Sequence, residues 1–174
     1  MYQIGDLIVY GTTGVCEVVE ITTLDNMRDV PKDKLHYKLK PLYENCEIYT
    51  PVENSKVFVR PVISKEEAEA LVDEIPTCKA EPYFCTSMQQ LKDHYKACLD
   101  THACRDLVEL TMSLYAKKAA KKFNQVDDTY MKRAESLLFG ELAVALKIPF
   151  DQVTDYIQRR VDAYRGEQAG VESA

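Results

Sequence analysis

The residues whose types and spacing most invite chemistry are four lysines, Lys117, Lys118, Lys121 and Lys122. Residues four apart share a helix face, so on a continuous helix Lys117 would stand beside Lys121 and Lys118 beside Lys122. Such a double row can meet phosphates repeated along a backbone, although read alone it is better explained as a solvated helix face. Tyr83 and Phe84 are adjacent aromatics inside Glu81-Pro82-Tyr83-Phe84-Cys85, a stretch that reads as a linker. An aromatic pair there more often caps a core than faces a partner. His94, Cys98 and His102 are spaced four apart and would line one helix face, as zinc ligands can. Asp100-Thr101 reads as a helix break between Cys98 and His102, so no metal is expected.

Signatures of catalysis are missing. The chain carries no G-x-x-x-x-G-K-[ST], no G-x-G-x-x-G and no G-x-S-x-G, and its six glycines leave little material for a phosphate cradle. No nucleophile–base pair can be proposed from its three histidines, of which His36 is expected to alternate outward on a strand. Neither enzymatic activity, a cofactor nor a small-molecule substrate is therefore expected. The six cysteines form no C-x-x-C pair and read as reduced thiols, mostly apolar fillers. The N-terminal residues lack the basic and apolar regions of a signal peptide, and no apolar run approaches the roughly 20 residues of a membrane span. A cytoplasmic location, without membrane contact, is the expectation.

The elements that must hold these residues change character near residue 63. Before it the pattern is β. Asp6 to Tyr10 and Val15 to Thr22 read as strands around the turn Gly11 to Gly14, with Val15, Val19 and Ile21 on one face. Leu24 to Lys34, with Asp25-Asn26 and Pro31, reads as a loop. Leu35 to Leu42, Cys46 to Thr50 and Val57 to Arg60 complete five short strands, which suggest a small closed barrel because closure removes free edges. Pro51 stops the fourth strand, as often happens at a sheet edge.

After residue 63 the period is helical. Ser64 to Glu67 is a capping box, followed by Ala68, Leu71, Val72 and Ile75 on one face. Ser87 to Gln90 is a second candidate box, opening a helix with Leu91, Tyr95 and Leu99 inward. Asp100 or Thr101 is expected to cap a third helix, with Cys104, Leu107, Thr111, Leu114 and Tyr115 inward. Asp127 or Asp128 is expected to cap a fourth, with Tyr130, Ala134, Leu137, Leu138, Leu142 and Ala145 inward. Pro149 suits the first turn of a fifth, whose buried stripe would be Val153, Tyr156, Ile157, Val161 and Tyr164. The reading is an α+β chain of two domains. A small β barrel over residues 1–62 precedes an all-α helical bundle over 63–165, and residues 166–174 form a flexible tail.

Charge complicates a nucleic-acid role. The net charge is −6 and the pI about 5.2, whereas nucleic-acid binders usually read basic. Yet between Lys92 and Arg133 nine Lys and Arg face six Asp and Glu, so positive charge is concentrated there.

The order of these pieces resembles a known family. Ile4-Gly5-Asp6-Leu7-Ile8-Val9-Tyr10 with Gly14-Val15 is similar to the opening of CarD-like proteins, GD-x-V-V-Y-P-x-x-G-V. Tyr49-Thr50-Pro51-Val52-Glu53-Asn54 resembles that family's I-P-V-E-N strand end. Tyr95-Lys96-Ala97 is similar to the pattern of its first bundle helix, and Phe139-Gly140-Glu141-Leu142-Ala143 to its late GELA helix. The likeness runs from about residue 2 to 160. It implies a bacterial transcription regulator, with a Tudor-like barrel that binds the RNA polymerase β subunit. It also implies a helical domain on promoter DNA, minor groove and backbone, at the upstream edge of the melted bubble. The barrel resembles the polymerase-interacting module of the transcription-repair coupling factor, but the chain has no helicase motor. The alternative is a protein-only adaptor that docks through the barrel and binds little or no DNA.

Residue by residue, the resemblance puts Tyr49 at the polymerase contact with Glu47 on the same face. Lys96 and Arg133 fall at positions that contact backbone phosphates, and Lys92 lies one turn before Lys96. Lys117, Lys118, Lys121 and Lys122 extend that surface beyond the family match. Two departures stand out. Gly11 replaces the family's Pro, and the chain has no Trp where the family places a bubble-edge wedge. Phe84 aligns there, with Tyr83 beside it, so an aromatic of smaller area would take the wedge role.

Overall fold

The computed structural model describes residues 1–25, 28, 32–53 and 56–173. The chain divides into two compact units between Val62 and Ile63. The first is one antiparallel sheet of β1 (Leu7–Tyr10), β2 (Gly14–Thr23), β3 (Leu35–Pro41), β4 (Ile48–Pro51) and β5 (Val59–Pro61), in the order β4-β3-β2-β1-β5. No ladder joins β4 to β5 among the described residues, so the hydrogen-bonded closure expected of a barrel is absent and two edges remain. Part of the loop between β2 and β3 (26, 27 and 29–31), and Asn54 of the strand-end motif, lie outside the described residues.

The inner face differs from simple alternation. Cys16, Val18 and Ile21 of β2 pair with Pro41, Leu39 and Tyr37, and the register shifts between Val18 and Glu20. That irregularity puts Val19 in the extra position and rotates the second half of the strand. Cys16 and Val18 are therefore core residues beside Ile8, Tyr10, Tyr37 and Leu39, with Ile21 packed on them. Val19, expected inward, is only half-buried. His36, expected outward, is buried: Thr22 and Pro51 flank it in register, and its Nδ1 lies 3.0 Å from the Lys34 carbonyl. Gly11 explains the missing Pro. Its φ is 49° and its N–H donates to the Phe58 carbonyl at 2.8 Å, and proline permits neither.

The second unit holds α1 (Lys65–Glu74), α2 (Met88–Asp100), α3 (Cys104–Ala119), α4 (Gln125–Leu146) and α5 (Val153–Glu172), with single 3-10 turns at Ile75–Thr77 and Phe150–Gln152. Ser64 forms the full capping box of α1. At α2 only half the expected box forms: Ser87 accepts from the Gln90 N–H, while the Gln90 side chain accepts from the Cys85 thiol instead. Neither Asp100 nor Thr101 caps α3. His102 takes a left-handed conformation, φ 56°, so the chain turns and α3 starts after Ala103. Asn124, rather than Asp127 or Asp128, caps α4, and Asp127 completes its box.

Leu91, Tyr95, Leu99, Leu107, Leu114, Ala134, Leu138 and Leu142 are buried as their spacing indicates. Tyr115 is exposed instead, because its hydroxyl reaches across to bond Glu135 on α4. Of the stripe expected on α5 only Val153 is fully buried; Tyr156, Ile157, Val161 and Tyr164 are half-buried. The helix continues to Glu172, past the point where an irregular tail was expected, since each added residue closes one more backbone hydrogen bond. Arg160 of α5 forks onto Asp73 of α1, with Nη2 at 2.5 Å from both carboxylate oxygens. Glu141 of the GELA motif is buried; it accepts from the Ile63 N–H at 3.1 Å and from the Cys104 thiol at 2.8 Å. No helix among the described residues is long and apolar enough to cross a membrane.

Candidate functional site

At the sheet edge, register brings three side chains together. Lys38 of β3 lies opposite Tyr49 of β4, its Nζ is 5.9 Å from the Tyr49 ring centroid, and it forms a 2.9 Å ion pair with Glu47. The hydrogen bond to Glu47 raises the affinity of Lys38 for its proton. Glu47 itself precedes the strand, which begins two residues later than its apolar pattern suggested. Both Glu47 and Tyr49 are exposed, and among the described residues β4 pairs with the sheet along one side only. Lys38 was not singled out by sequence, because only the β3–β4 register reveals that it lies between the other two. The outward position of Lys38 on an alternating strand was the one signal available.

In the helical unit, the lysine row does not exist as a row. α3 ends at Ala119, and Lys121 sits at φ 58°, off the helix axis. Lys117 is buried, not solvated. Its Nζ donates to Asp127 Oδ1 at 2.8 Å and to the Tyr95 hydroxyl at 3.2 Å. The Tyr95 hydroxyl donates to the same Oδ1 at 2.7 Å, while Asp127 Oδ2 accepts from the Asn124 N–H at 2.9 Å. A buried lysine needs a paired carboxylate, and Asp127 supplies it where residues of α2, α3 and α4 come together. Burial, then the bond to Asp127, pushes the Tyr95 phenol well above its usual range. Lys117 is therefore withdrawn from the candidate nucleic-acid surface.

What this network carries is Phe84. The ring is 52% exposed, with Lys117 Nζ at 5.5 Å and Lys122 Nζ at 5.3 Å from its centroid. Ammonium groups near an aromatic ring attract it through its quadrupole, so both lysines help fix an aromatic that projects to solvent. Tyr83 is placed differently: it stacks on His94 at 3.8 Å and 14° and is half-buried. Burial lowers the His94 pKa, favouring a neutral ring in that stack. Lys118 lies over Phe123 at 5.5 Å. Lys92 and Lys96 are exposed one turn apart on α2, and Arg133 is exposed on α4; no ring contact joins Lys92 or Lys96 to Phe84 among the described residues.

No cluster of three or more His, Cys, Asp or Glu that could hold a metal occurs among the described residues. α2 ends before His102, which separates it from His94 and Cys98. Of the six free cysteines only Cys16 and Cys104 are buried, so fewer act as apolar fillers than expected. Burial pushes the Cys16 thiol up to about 12, where it stays protonated.

An antiparallel sheet with a charged aromatic edge, followed by a helical unit bearing an exposed aromatic among lysines, defines the class: a small β domain joined to a helical one. Residues 2–63 match the family model described as CarD-like/TRCF RID domain. No curated protein matched the chain.

Proposed function

We propose that this chain is a CarD-like transcription regulator that acts without covalent chemistry in the bacterial cytoplasm. The β unit docks, as a Tudor-like domain, on the RNA polymerase β subunit through β4, Glu47 and Tyr49. The helical unit meets promoter DNA at the upstream edge of the bubble and alters open-complex lifetime. The match over residues 2–63 carries the polymerase part of this reading. Among the described residues β4 pairs along one side only, a position suited to strand addition, and Glu47 and Tyr49 supply specificity beside it.

The DNA part rests on Phe84. An exposed aromatic can wedge against a base step while cations around it meet phosphates. Phe84 is the wedge, Lys122 stands beside it, and Lys92, Lys96, Arg133 and Lys118 extend the cationic surface. An acidic chain gains DNA affinity chiefly by tethering to polymerase, which raises the effective DNA concentration. The burial of Lys117 favours a second reading, a protein-only adaptor, because it removes one of the seven expected cations from DNA.

One experiment with the full chain separates the two. Open-complex lifetime is measured on a promoter with wild type, Tyr49→Ala and Phe84→Ala, beside capture of the isolated β subunit. The regulator reading expects Tyr49→Ala to lose both capture and the lifetime effect, and Phe84→Ala to lose only the latter. Loss of neither on Phe84→Ala establishes the adaptor.

A further inference from the structure

Lys38 stands in the middle of its row in the sheet, with Glu20 of β2 in register on one side and Tyr49 of β4 on the other. Its ammonium leans towards β4. Nζ lies 2.9 Å from Glu47 Oε1 and 5.9 Å from the Tyr49 ring centroid, so one cation meets a carboxylate and an aromatic ring at once. The side chain of Lys38 is 22% exposed against 56% for Glu47, and Tyr49 is exposed as well. The covered residue is therefore the one in the middle, and the two it holds are those offered to solvent. An exposed carboxylate and an exposed ring otherwise sample several rotamers, and ordering them on association weakens affinity. A charge-assisted hydrogen bond and a cation–π contact formed beforehand remove part of that cost.

We propose that Lys38 is a positioning residue for the polymerase contact: it presets Glu47 and Tyr49 and does not itself touch the partner. The inference rests on the docking reading above and adds to it the residue that orders the docking surface before binding. Methionine at this position keeps an unbranched stem but loses both contacts. Arginine keeps them, because a guanidinium pairs with a carboxylate and stacks on a ring.

The full chain is titrated against the isolated polymerase β subunit at fixed salt, and the melting temperature of every variant is measured. Lys38→Met should weaken binding about threefold to tenfold, the worth of ordering two exposed side chains, and Lys38→Arg should bind as wild type. Melting temperatures should change little, because exposed ion pairs contribute little to folding. Glu47→Gln should also weaken binding, and Lys38→Met/Glu47→Gln should fall short of the product of the two single losses, because each change breaks the same pair. Glu20→Gln, an equal change of charge on the other side of Lys38, should bind as wild type. The inference is overturned if Lys38→Met binds as wild type, if Lys38→Arg loses affinity as Lys38→Met does, or if the two single losses multiply, which makes Lys38 an independent contact. A loss in Glu20→Gln equal to that in Glu47→Gln overturns it too, because net charge rather than position would then set affinity. Tyr49→Ala tests the docking reading itself. Undiminished binding by that variant removes the reading and the inference together, whereas lost binding by Tyr49→Ala beside wild-type binding by Lys38→Met removes the inference alone.

Discussion

Lys117 Nζ lies 2.8 Å from Asp127 Oδ1 with both side chains buried, and this pair ties the end of α3 to the start of α4. The same carboxylate holds the Tyr95 hydroxyl of α2 and the Asn124 N–H, so one residue gathers three helices beneath Phe84. Removing one partner strands a charge in the interior. Lys117→Met should therefore cost about 3–5 kcal/mol in urea unfolding, whereas the double variant Lys117→Met/Asp127→Asn, which removes the stranded charge but keeps an acceptor for the Tyr95 hydroxyl, should recover part of that loss. Equal losses in single and double variants would contradict the pairing account.

Phe84 is the converse case, an aromatic held in place but left outside the core. Phe84→Ala should change stability by about 1 kcal/mol or less, the worth of its cation–π contacts, and well short of the about 3–5 kcal/mol of a buried Phe. Its open complexes should nevertheless be shorter-lived. Phe84→Trp should lengthen them, because a larger ring covers more of the base step. A melting temperature that collapses in Phe84→Ala would make the ring a core residue and remove the wedge.

Salt dependence tells phosphate contacts from buried lysines. Each phosphate contact contributes about 0.9 to the slope of log affinity against log salt. Lys96→Ala and Lys122→Ala should each flatten the slope for the polymerase–promoter complex by that amount. Lys117→Met, assayed below its melting temperature, should leave the slope unchanged. A flattening by Lys117→Met equal to that of Lys96→Ala would put Lys117 on the DNA.

His94 makes the helical unit sensitive to acid. Its pKa lies below the ordinary 6.5 because burial disfavours the charged ring. The unfolded chain therefore binds the proton more readily than the folded one. The stabilisation is complete above pH 6.5 and is lost as pH falls through the folded value. His94→Phe keeps a ring against Tyr83 but cannot titrate, so its unfolding free energy should fall less between about pH 7 and 5 than that of wild type. Identical pH profiles would remove His94 as the source.

Much of this molecule is written in local pattern. The change from period two to helical period near residue 63, the capping box at Ser64 and the inward set Leu91, Tyr95 and Leu99 all follow from spacing, because burial of one face depends on neighbours a few residues away. The motifs from Gly5 to Val15 led to the family that the match over residues 2–63 supports. What spacing could not supply was anything that depends on where a helix ends or which strands pair. Lys117 and Lys121 share a face only if α3 continues past Ala119; it stops there, and Asp127 from the next helix draws Lys117 inward. Lys38 joins Glu47 and Tyr49 only through the β3–β4 register, and Val19 leaves the inner face only because that ladder shifts beside it. The partner of a buried charge, the register of a strand and the exposure of Phe84 are contacts between distant parts of the chain, and tertiary packing alone decides them.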